Sequence, residues 1–201
     1  MVFRSKQKNL DGLPVWMDPV EFSQLLAAVH AIAPARFLEW GTGGSTRALL
    51  EACPFIREYL AVEHNPTWVD HVRGVVRDSR LSLHLVAPDR PPAPGEPTSA
   101  PAGIPAHKST AFDDRVEFDR SLMLTYIETP RRLGFQPDFA LVDGRARRFC
   151  LQEAFALVRP GGVVALHDAQ REEYHDVLRE LGPHRFLEPW TQGQLALLRK
   201  P

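Results

Sequence analysis

Glu39-Trp40-Gly41-Thr42-Gly43-Gly44-Ser45-Thr46 is the stretch of the sequence that indicates the fold. It starts at the end of a short apolar segment, 36–40, that is typical of a buried strand, and residues 45–52 then show a helical pattern that Pro54 stops. Glycines allow a tight turn and a close approach of a ligand to the backbone, and the first N–H groups of a helix attract a negative group. The stretch therefore predicts a strand, a glycine turn and a helix that together bind a ligand.

Strand and helix patterns alternate along the rest of the chain. Five apolar segments are expected to be strands separated by helices, at 36–40, 59–63, 81–86, 139–143 and 163–168. Two further strands, 185–188 and 194–198, are joined by a short connection and should form an antiparallel hairpin. The sequence thus predicts an α/β fold with a mostly parallel, seven-stranded sheet, helices on both faces and a C-terminal antiparallel β-hairpin.

Proline marks a region that does not follow this pattern. The chain has 18 prolines in 201 residues, and seven of them fall within residues 88–105. Proline supplies no backbone N–H, so this region is expected to be a loop or extended chain. A helical pattern at 121–127 predicts one ordered piece. We therefore expect one domain, 1–201, with a proline-rich insertion or lid at about 88–135; a surface insertion without function is the alternative.

The composition excludes several classes of protein. Lysine and arginine number 24, and aspartate and glutamate 25, so the net charge is −1 and gives no support to nucleic-acid binding. The two cysteines, Cys53 and Cys150, cannot form a disulfide framework. The sequence shows neither an apolar signal region nor a run long enough to span a membrane, so a cytoplasmic globular protein is expected.

Acidic residues stand at the ends of three further predicted strands. Glu63 closes the second strand, where a carboxylate can accept both hydrogen bonds of a ribose diol. Asp143 and Asp168 end the fourth and fifth strands, and His167 lies beside the second of them. Because the carboxyl ends of parallel strands meet at one edge of a sheet, these side chains should face the same edge as the glycine turn.

These residues resemble the S-adenosylmethionine (SAM) site of class I SAM-dependent methyltransferases, which have a Rossmann-like fold. Val142-Asp143-Gly144-Arg145-Ala146-Arg147, Arg159-Pro160-Gly161-Gly162 and His167-Asp168 further resemble the branch of the plant glucuronoxylan O-methyltransferases and their bacterial relatives. The resemblance implies SAM as cofactor and transfer of its methyl group. The expected reaction is O-methylation of a small-molecule or saccharide partner, which could be acidic. Ser45 departs from the third glycine of many methyltransferases, but a serine at a helix start is compatible with the turn. The resemblance implies a set of cofactor-binding residues: Glu39, Gly41, Gly43, Gly44, Ser45, Thr46, Glu63 and Asp143.

The candidate catalytic residues are Asp143, His167 and Asp168. The two aspartates could hold a divalent metal, Mg²⁺ or Mn²⁺, through oxygen ligands, as in the metal-dependent O-methyltransferases of the catechol type that they resemble. The third ligand of those enzymes, an asparagine, is replaced here by Ala169. Alternatively, Asp143 contacts the amino group of SAM without a metal. His167 is expected either to act as general base or to orient Asp168.

Three arginines follow Asp143 closely and are candidates for binding the acceptor. Arg145, Arg147 and Arg148 could bind a carboxylate or phosphate of an acidic acceptor, and Tyr174 is placed in the same substrate site. Alternatively, the arginines pair with acidic side chains of the chain itself.

Two other functions compete with methyl transfer. One is a SAM-binding or degenerate module without catalytic activity, which uses the insertion to contact a partner. The other is a nicotinamide-dependent oxidoreductase, which shares the sheet and the ribose-binding acid. The fingerprint of the oxidoreductases requires a glycine where this sequence has Thr46.

Overall fold

One seven-stranded sheet forms the centre of the molecule in a computed structural model that describes residues 12–90 and 111–201. The strands are β1 (Arg36–Trp40), β2 (Glu58–Glu63), β3 (Leu81–Leu85), β4 (Phe139–Val142), β5 (Val163–Leu166), β6 (His184–Phe186) and β7 (Ala196–Arg199). Their spatial order is β3-β2-β1-β4-β5-β7-β6. Strands β1 to β5 pair in parallel, and β7 runs antiparallel to both β5 and β6.

In the described part of the chain, seven α-helices surround the sheet. They are α1 (Pro19–Ile32), α2 (Gly44–Ala52), α3 (Pro66–Val75), α4 (Ala111–Val116), α5 (Leu124–Arg132), α6 (Arg147–Leu157) and α7 (His175–Leu181). The side chain of Asp18 caps α1 and that of Asn65 caps α3, each followed by proline. Asp18 and Asn65 mark the starts of these helices, because each side chain accepts a hydrogen bond from a backbone N–H group of the first turn.

The sheet has an apolar layer on each face, because side chains alternate along its strands. On β1, Phe37 packs in the layer formed with α1 and α2, whereas Leu38 and Trp40 pack in the layer formed with α5 and α6. All three side chains are fully buried. The predicted α/β class, with helices on both faces of a mostly parallel sheet, is confirmed.

The C-terminal strands pair antiparallel as predicted, although β6 is shorter than expected. His184–Phe186 pairs with β7 alone and lies at the edge of the sheet. After Phe186 only one backbone hydrogen bond, from Leu187 to Leu195, continues the pairing. An edge strand with one partner stops where that partner stops, so the connection to β7 is longer than the sequence indicated.

Residues 111–135, the described part of the expected insertion, pack against the sheet. Phe112, Val116 and Met123 are fully buried in the layer that also contains α5 and α6. That this region is an insertion or a lid stays a prediction. The rest of the predicted lid, 91–110, lies outside the described residues.

In the described part of the chain, no helix has the length and apolar character needed to cross a membrane.

Candidate active site

The strand register brings four of the predicted site residues into one row. Trp40 of β1 pairs with Val62 of β2 and with Val142 of β4, which itself pairs with Leu166 of β5. One residue beyond these pairs, the row consists of Glu63, Gly41, Asp143 and His167. Neighbouring strands lie about 4.8 Å apart, so the row spans roughly 14 Å along the carboxyl edge of the sheet. This edge is where open parallel sheets bind ligands.

Glu39 lies beneath the glycine turn and is completely buried. Its Oε1 accepts a hydrogen bond from the Ser45 hydroxyl (2.8 Å), and its Oε2 accepts from the hydroxyls of Thr46 (2.6 Å) and Tyr59 (2.8 Å). Burial raises the pKa of Glu39 to about 7, although the three hydrogen bonds favour the ionised form. The Thr46 hydroxyl also accepts from the N–H of Gly43. The carboxyl group of Glu39 therefore fixes the turn and the start of α2 against β1 and β2.

Two glycines are needed because other backbone segments approach them closely. Gly41 has φ +92°, and a Cβ there would lie 2.9 Å from the backbone nitrogen of Gly144. A Cβ on Gly44 would overlap the carbonyl group of Pro14 and the nitrogen of Val15. The segment that leads into α1 thus crosses directly over the first turn of α2.

Glu63 presents an ionised carboxylate at the end of β2. Its Oε1 accepts hydrogen bonds from the backbone N–H groups of His64 (2.7 Å) and Asn65 (2.8 Å), and Nδ1 of His64 lies 2.8 Å from the same oxygen. Burial opposes ionisation, but His64 and the two N–H groups outweigh it and lower the pKa of Glu63. Its second oxygen, Oε2, makes none of these contacts.

His167 is buried between carboxylates that come from three elements. Its Nδ1 is hydrogen-bonded to Oδ1 of Asp143, and its Nε2 lies 3.2 Å from Oε2 of Glu21 and 3.7 Å from Oδ1 of Asp168. Burial alone would lower the pKa of His167, but these acids, Asp143 above all, raise it to about 10. The ring is therefore an imidazolium at neutral pH and has no free lone pair with which to accept a proton.

Arg147 joins the two aspartates that end β4 and β5. Its guanidinium lies 3.1 Å from Oδ2 of Asp168 and 3.6 Å from Oδ1 of Asp143, and it donates to the carbonyl oxygens of Gly144 and His167 at 2.9 Å. Burial opposes the ionised form of Asp168, but Arg147 and the neighbouring cations hold the pKa of that carboxyl well below its usual range.

The backbone at Asp168 is also unusual, because its φ of 56° lies in the left-handed region. Aspartate tolerates this region better than most residues do. In this conformation the carboxylate pairs with Arg171 at 2.6 Å as well as with Arg147. The end of β5 is thus shaped to hold one carboxylate against two guanidinium groups.

The donor set does not fit the predicted divalent metal. Asp143 and Asp168 already share Arg147, and His167 adds a second positive charge between them. A divalent ion would have to displace these cations. Across residues 12–90 and 111–201, no three histidine, cysteine, aspartate or glutamate side chains are grouped as potential metal ligands.

The arginines predicted to bind an acidic acceptor are paired with acids of the chain. Arg147 makes the contacts above, Arg145 lies 2.7 Å from Oδ1 of Asp113, and Arg148 donates to both carboxylate oxygens of Asp176 at 2.6 Å. Arg145 precedes α6 and lies beside an acid of α4, whereas Arg148 lies in the first turn of α6 beside an acid of α7. The contacts match the alternative in which these arginines pair with acids of the chain, and their binding of an acidic acceptor stays a prediction.

Tyr174 is buried beside this arginine network rather than at an open surface. Burial raises its pKa to about 12, while the nearby charge of Arg147 acts in the opposite direction. The phenol is therefore neutral, and a direct contact with an acceptor stays a prediction.

The sequence did not indicate the positions of two buried acids beside the predicted site residues. Glu21 has the sequence signature of a helix-capping acid, yet its carboxylate is buried against His167. Glu117 is buried after α4, where it accepts the N–H groups of Arg147 and Arg148 at 3.2 Å. No local pattern marks these residues, because their partners lie far away in the sequence.

Comparisons with known proteins agree with this architecture. No family model and no curated protein matches the sequence significantly. Among solved structures, a methyltransferase-like protein from Silicibacter pomeroyi is 21% identical, with a TM-score of 0.59 over 94% of this chain and 90% of that one. An O-methyltransferase from Bacillus cereus in complex with S-adenosylhomocysteine (SAH) is 14% identical, with a TM-score of 0.60 over 94% and 85%. The N-methyltransferase NodS from Bradyrhizobium japonicum is 13% identical, with a TM-score of 0.50 over 92% and 99%.

The likeness defines the fold of this chain as the Rossmann-like fold of these methyltransferases. Proteins described as O- and as N-methyltransferases share it, so the fold alone does not identify the acceptor atom.

Proposed function

We propose that the protein is a SAM-dependent methyltransferase acting on an oxygen of a small or saccharide-like acceptor. The observation that carries the proposal is the juxtaposition of Gly41 and the ionised carboxylate of Glu63 at the ends of two adjacent strands. A glycine turn lies next to a hydrogen-bond acceptor suited to a ribose. The oxygen and saccharide assignments rest on the resemblance to the glucuronoxylan O-methyltransferases.

The residues of the row fit the parts of such a cofactor. Glu63 would accept the hydroxyls of the ribose through Oε2, and the turn from Gly41 to Thr46 would hold the methionine part. Glu39 supports that turn from below through its three hydrogen bonds. When bound, SAM supplies a methyl carbon that its sulfonium group already activates.

Positioning carries most of the catalysis in this proposal. Holding the acceptor oxygen close to the methyl carbon and in line with the breaking bond is worth about 7–11 kcal/mol, whereas a general base adds about 10²–10⁴-fold. His167 does not serve as that base, because it already carries its proton. Its role, and that of Asp168 through Arg147, is to position Asp143.

Asp143 is the member of this group with two possible tasks. Its side chain is 19% exposed, which leaves part of the carboxylate accessible. It can accept a hydrogen bond from the amino group of SAM, or it can accept the proton of the acceptor hydroxyl as the methyl group is transferred. Because the predicted metal does not fit, neither task is assigned to a metal ion.

The Asp143→Asn variant separates these tasks. We would measure transfer of labelled methyl from SAM to a panel of phenols and saccharides, together with SAM affinity. Retained affinity with at least 100-fold slower transfer assigns Asp143 to the proton, and loss of both assigns it to the cofactor. Binding of SAM by the wild type, with no transfer to any acceptor of the panel, would instead support the non-catalytic module.

A further inference from the structure

The first turn of α6 receives no hydrogen-bond acceptor from the side chain that precedes it. That residue, Ala146, has φ 52° and a methyl side chain, which cannot accept a hydrogen bond. The first N–H groups of a helix need acceptors from outside the helix, because no preceding turn supplies carbonyl groups for them. Glu117 supplies two such acceptors: its Oε1 accepts from the N–H of Arg147 and its Oε2 from that of Arg148, both at 3.2 Å.

The segment that carries Glu117 is itself fixed against the core. Val116, the residue before it, is fully buried in the same apolar layer as α6, and Glu117 is also buried. On α4, Oδ1 of Asp113 lies 2.7 Å from Nε of Arg145. Burial raises the pKa of Glu117, whereas Arg147 and the two N–H groups favour its ionised form. Asp113 and Glu117 therefore hold the connection between β4 and α6 at two points.

This connection has Asp143 at its beginning and leads into Arg147. The guanidinium of Arg147 lies 3.6 Å from Oδ1 of Asp143 and donates to the carbonyl oxygen of Gly144. The N–H of Asp143 donates to the carbonyl oxygen of Trp40, and the backbone of Gly144 lies against Gly41 of the glycine turn. A shift of the first turn of α6 would therefore move Arg147 and change where Asp143 lies beside the turn.

We propose that Glu117 is a positioning residue for Asp143, acting through the first turn of α6 and through Arg147. This inference rests on the proposed function, because Asp143 is the residue assigned there to the cofactor or to the proton of the acceptor. The two oxygens of Glu117 accept the N–H groups of α6, so its effect on Asp143 is indirect. Removing the carboxyl group should therefore reduce the same quantity that replacement of Asp143 reduces, and to a smaller extent.

The test is a double-mutant cycle of Glu117→Ala and Asp143→Asn. Each protein is titrated calorimetrically with SAH and assayed for transfer of labelled methyl from SAM to the panel of phenols and saccharides. We expect Glu117→Ala to reduce, by about 3- to 10-fold, whichever of the two quantities Asp143→Asn reduces. We expect no further reduction when Glu117→Ala is added to Asp143→Asn, because the residue that Glu117 positions has then already lost its function.

Two further variants separate positioning from stability. Glu117→Gln keeps the size of the side chain and one acceptor oxygen, so we expect a smaller reduction, and it carries the test if Glu117→Ala does not fold. Val29→Ala is the control for destabilisation, because Val29 is fully buried on α1 in the opposite apolar layer. We expect it to lower the melting temperature without changing the SAH affinity or the transfer rate of the folded protein.

Three results would overturn the inference. One is equal SAH affinity and equal transfer by Glu117→Ala and wild type. Another is an equal reduction by Glu117→Ala in the wild-type and Asp143→Asn backgrounds, which would make Glu117 a purely structural residue. The third is an Asp143→Asn variant that changes neither quantity, since Glu117 would then have no effect of Asp143 to modulate. Failure of the wild type itself to bind SAH would contradict the proposed function instead, so the two failures are distinguishable.

Discussion

Nε2 of His167 lies 3.2 Å from Oε2 of Glu21, so the first helix of the domain reaches beneath the edge where β4 and β5 end. Both side chains are buried, and a Cβ on Gly193 would overlap the carboxylate of Glu21. The contact therefore depends on three distant parts of the chain. It places an acid on the side of the imidazolium opposite Asp143 and keeps the ring protonated.

The stability of the protein should consequently fall as the pH rises. The pKa of His167 is about 10 in the folded protein and about 6.5 in the unfolded chain, so between these values only the folded state keeps the proton. The stabilisation is complete below about pH 6.5 and is lost as the pH rises through 10, with a slope of at most about 1.4 kcal/mol per pH unit. Urea unfolding at several pH values between 6 and 10 measures this slope.

Glu21→Gln isolates the contribution of the contact, since it keeps the shape of the side chain and removes its charge. We expect the pKa of His167 to fall in this variant, so that the loss of stability begins at a lower pH. Other groups that titrate in this range do so in both proteins and cancel in the difference. Superimposable pH profiles of the two proteins would refute the role assigned to Glu21.

Replacing Arg147 should lower the stability of the folded protein, whether or not an acceptor is present. Arg147→Met leaves Asp143 and Asp168, which are largely buried, without their shared cation, and we expect the free energy of unfolding to fall by about 3–5 kcal/mol. Arg132→Met is the control, because Arg132 is half exposed and pairs with Glu128 on one helix surface, where the expected change is within about 1 kcal/mol. Equal stabilities of the two variants in chemical denaturation would show that Arg147 is not an internal partner.

Alanine at two glycines should have opposite effects. Gly44→Ala would push the backbone of Pro14 and Val15 away from α2, so we expect lower stability and faster proteolysis ahead of α1. Gly74→Ala meets no atom within 4 Å on α3 and should raise stability by about 0.5–1 kcal/mol, because alanine favours a helix over glycine. Limited proteolysis and thermal unfolding of both variants test these expectations. Similar behaviour of the two variants would argue against close packing of the segment at Pro14 and Val15 on the first turn of α2.

The protein should remain stable when Glu39 loses its charge, as in Glu39→Gln, but not when it loses its hydrogen-bond acceptors, as in Glu39→Ala. Its pKa of about 7 means that the neutral form is already populated at neutral pH, and Glu39→Gln resembles that form. Glu39→Ala leaves three hydroxyls without their acceptor, and we expect it to lower the free energy of unfolding by at least about 2 kcal/mol. Denaturant unfolding at pH 7 compares the variants; equal losses in both would contradict this account.

The fold was accessible from the sequence because its signals are local. The strand ends at Trp40, Glu63 and Asp143 follow from apolar runs that stop at glycine or an acid, and the helix starts follow from Asp18 and Asn65. The parallel direction of the first five strands follows from their alternation with helices. These features depend on neighbours in the sequence, so one chain suffices to read them.

The partners of the site residues were not accessible in the same way. Arg147 has the appearance of a ligand-binding group until Asp168 and Asp143 are seen on either side of it. The sequence also does not show that Phe112 and Tyr126 pack in the same apolar layer as Trp40. Contacts between side chains that are tens of residues apart depend on tertiary packing, and the hydrophobic periodicity of the sequence carries no information about them.

The central claim is that Glu63 and the glycine turn bind SAM, and calorimetric titration with SAM and SAH tests it most directly. The proteins compared would be wild type, Glu63→Ala and, as control, Glu51→Gln, whose glutamate is exposed on α2 and pairs with Arg47. The account predicts micromolar binding to wild type and to the control, with binding lost in Glu63→Ala while the protein remains folded. Absence of binding to the folded wild type, or undiminished binding to Glu63→Ala, would contradict it.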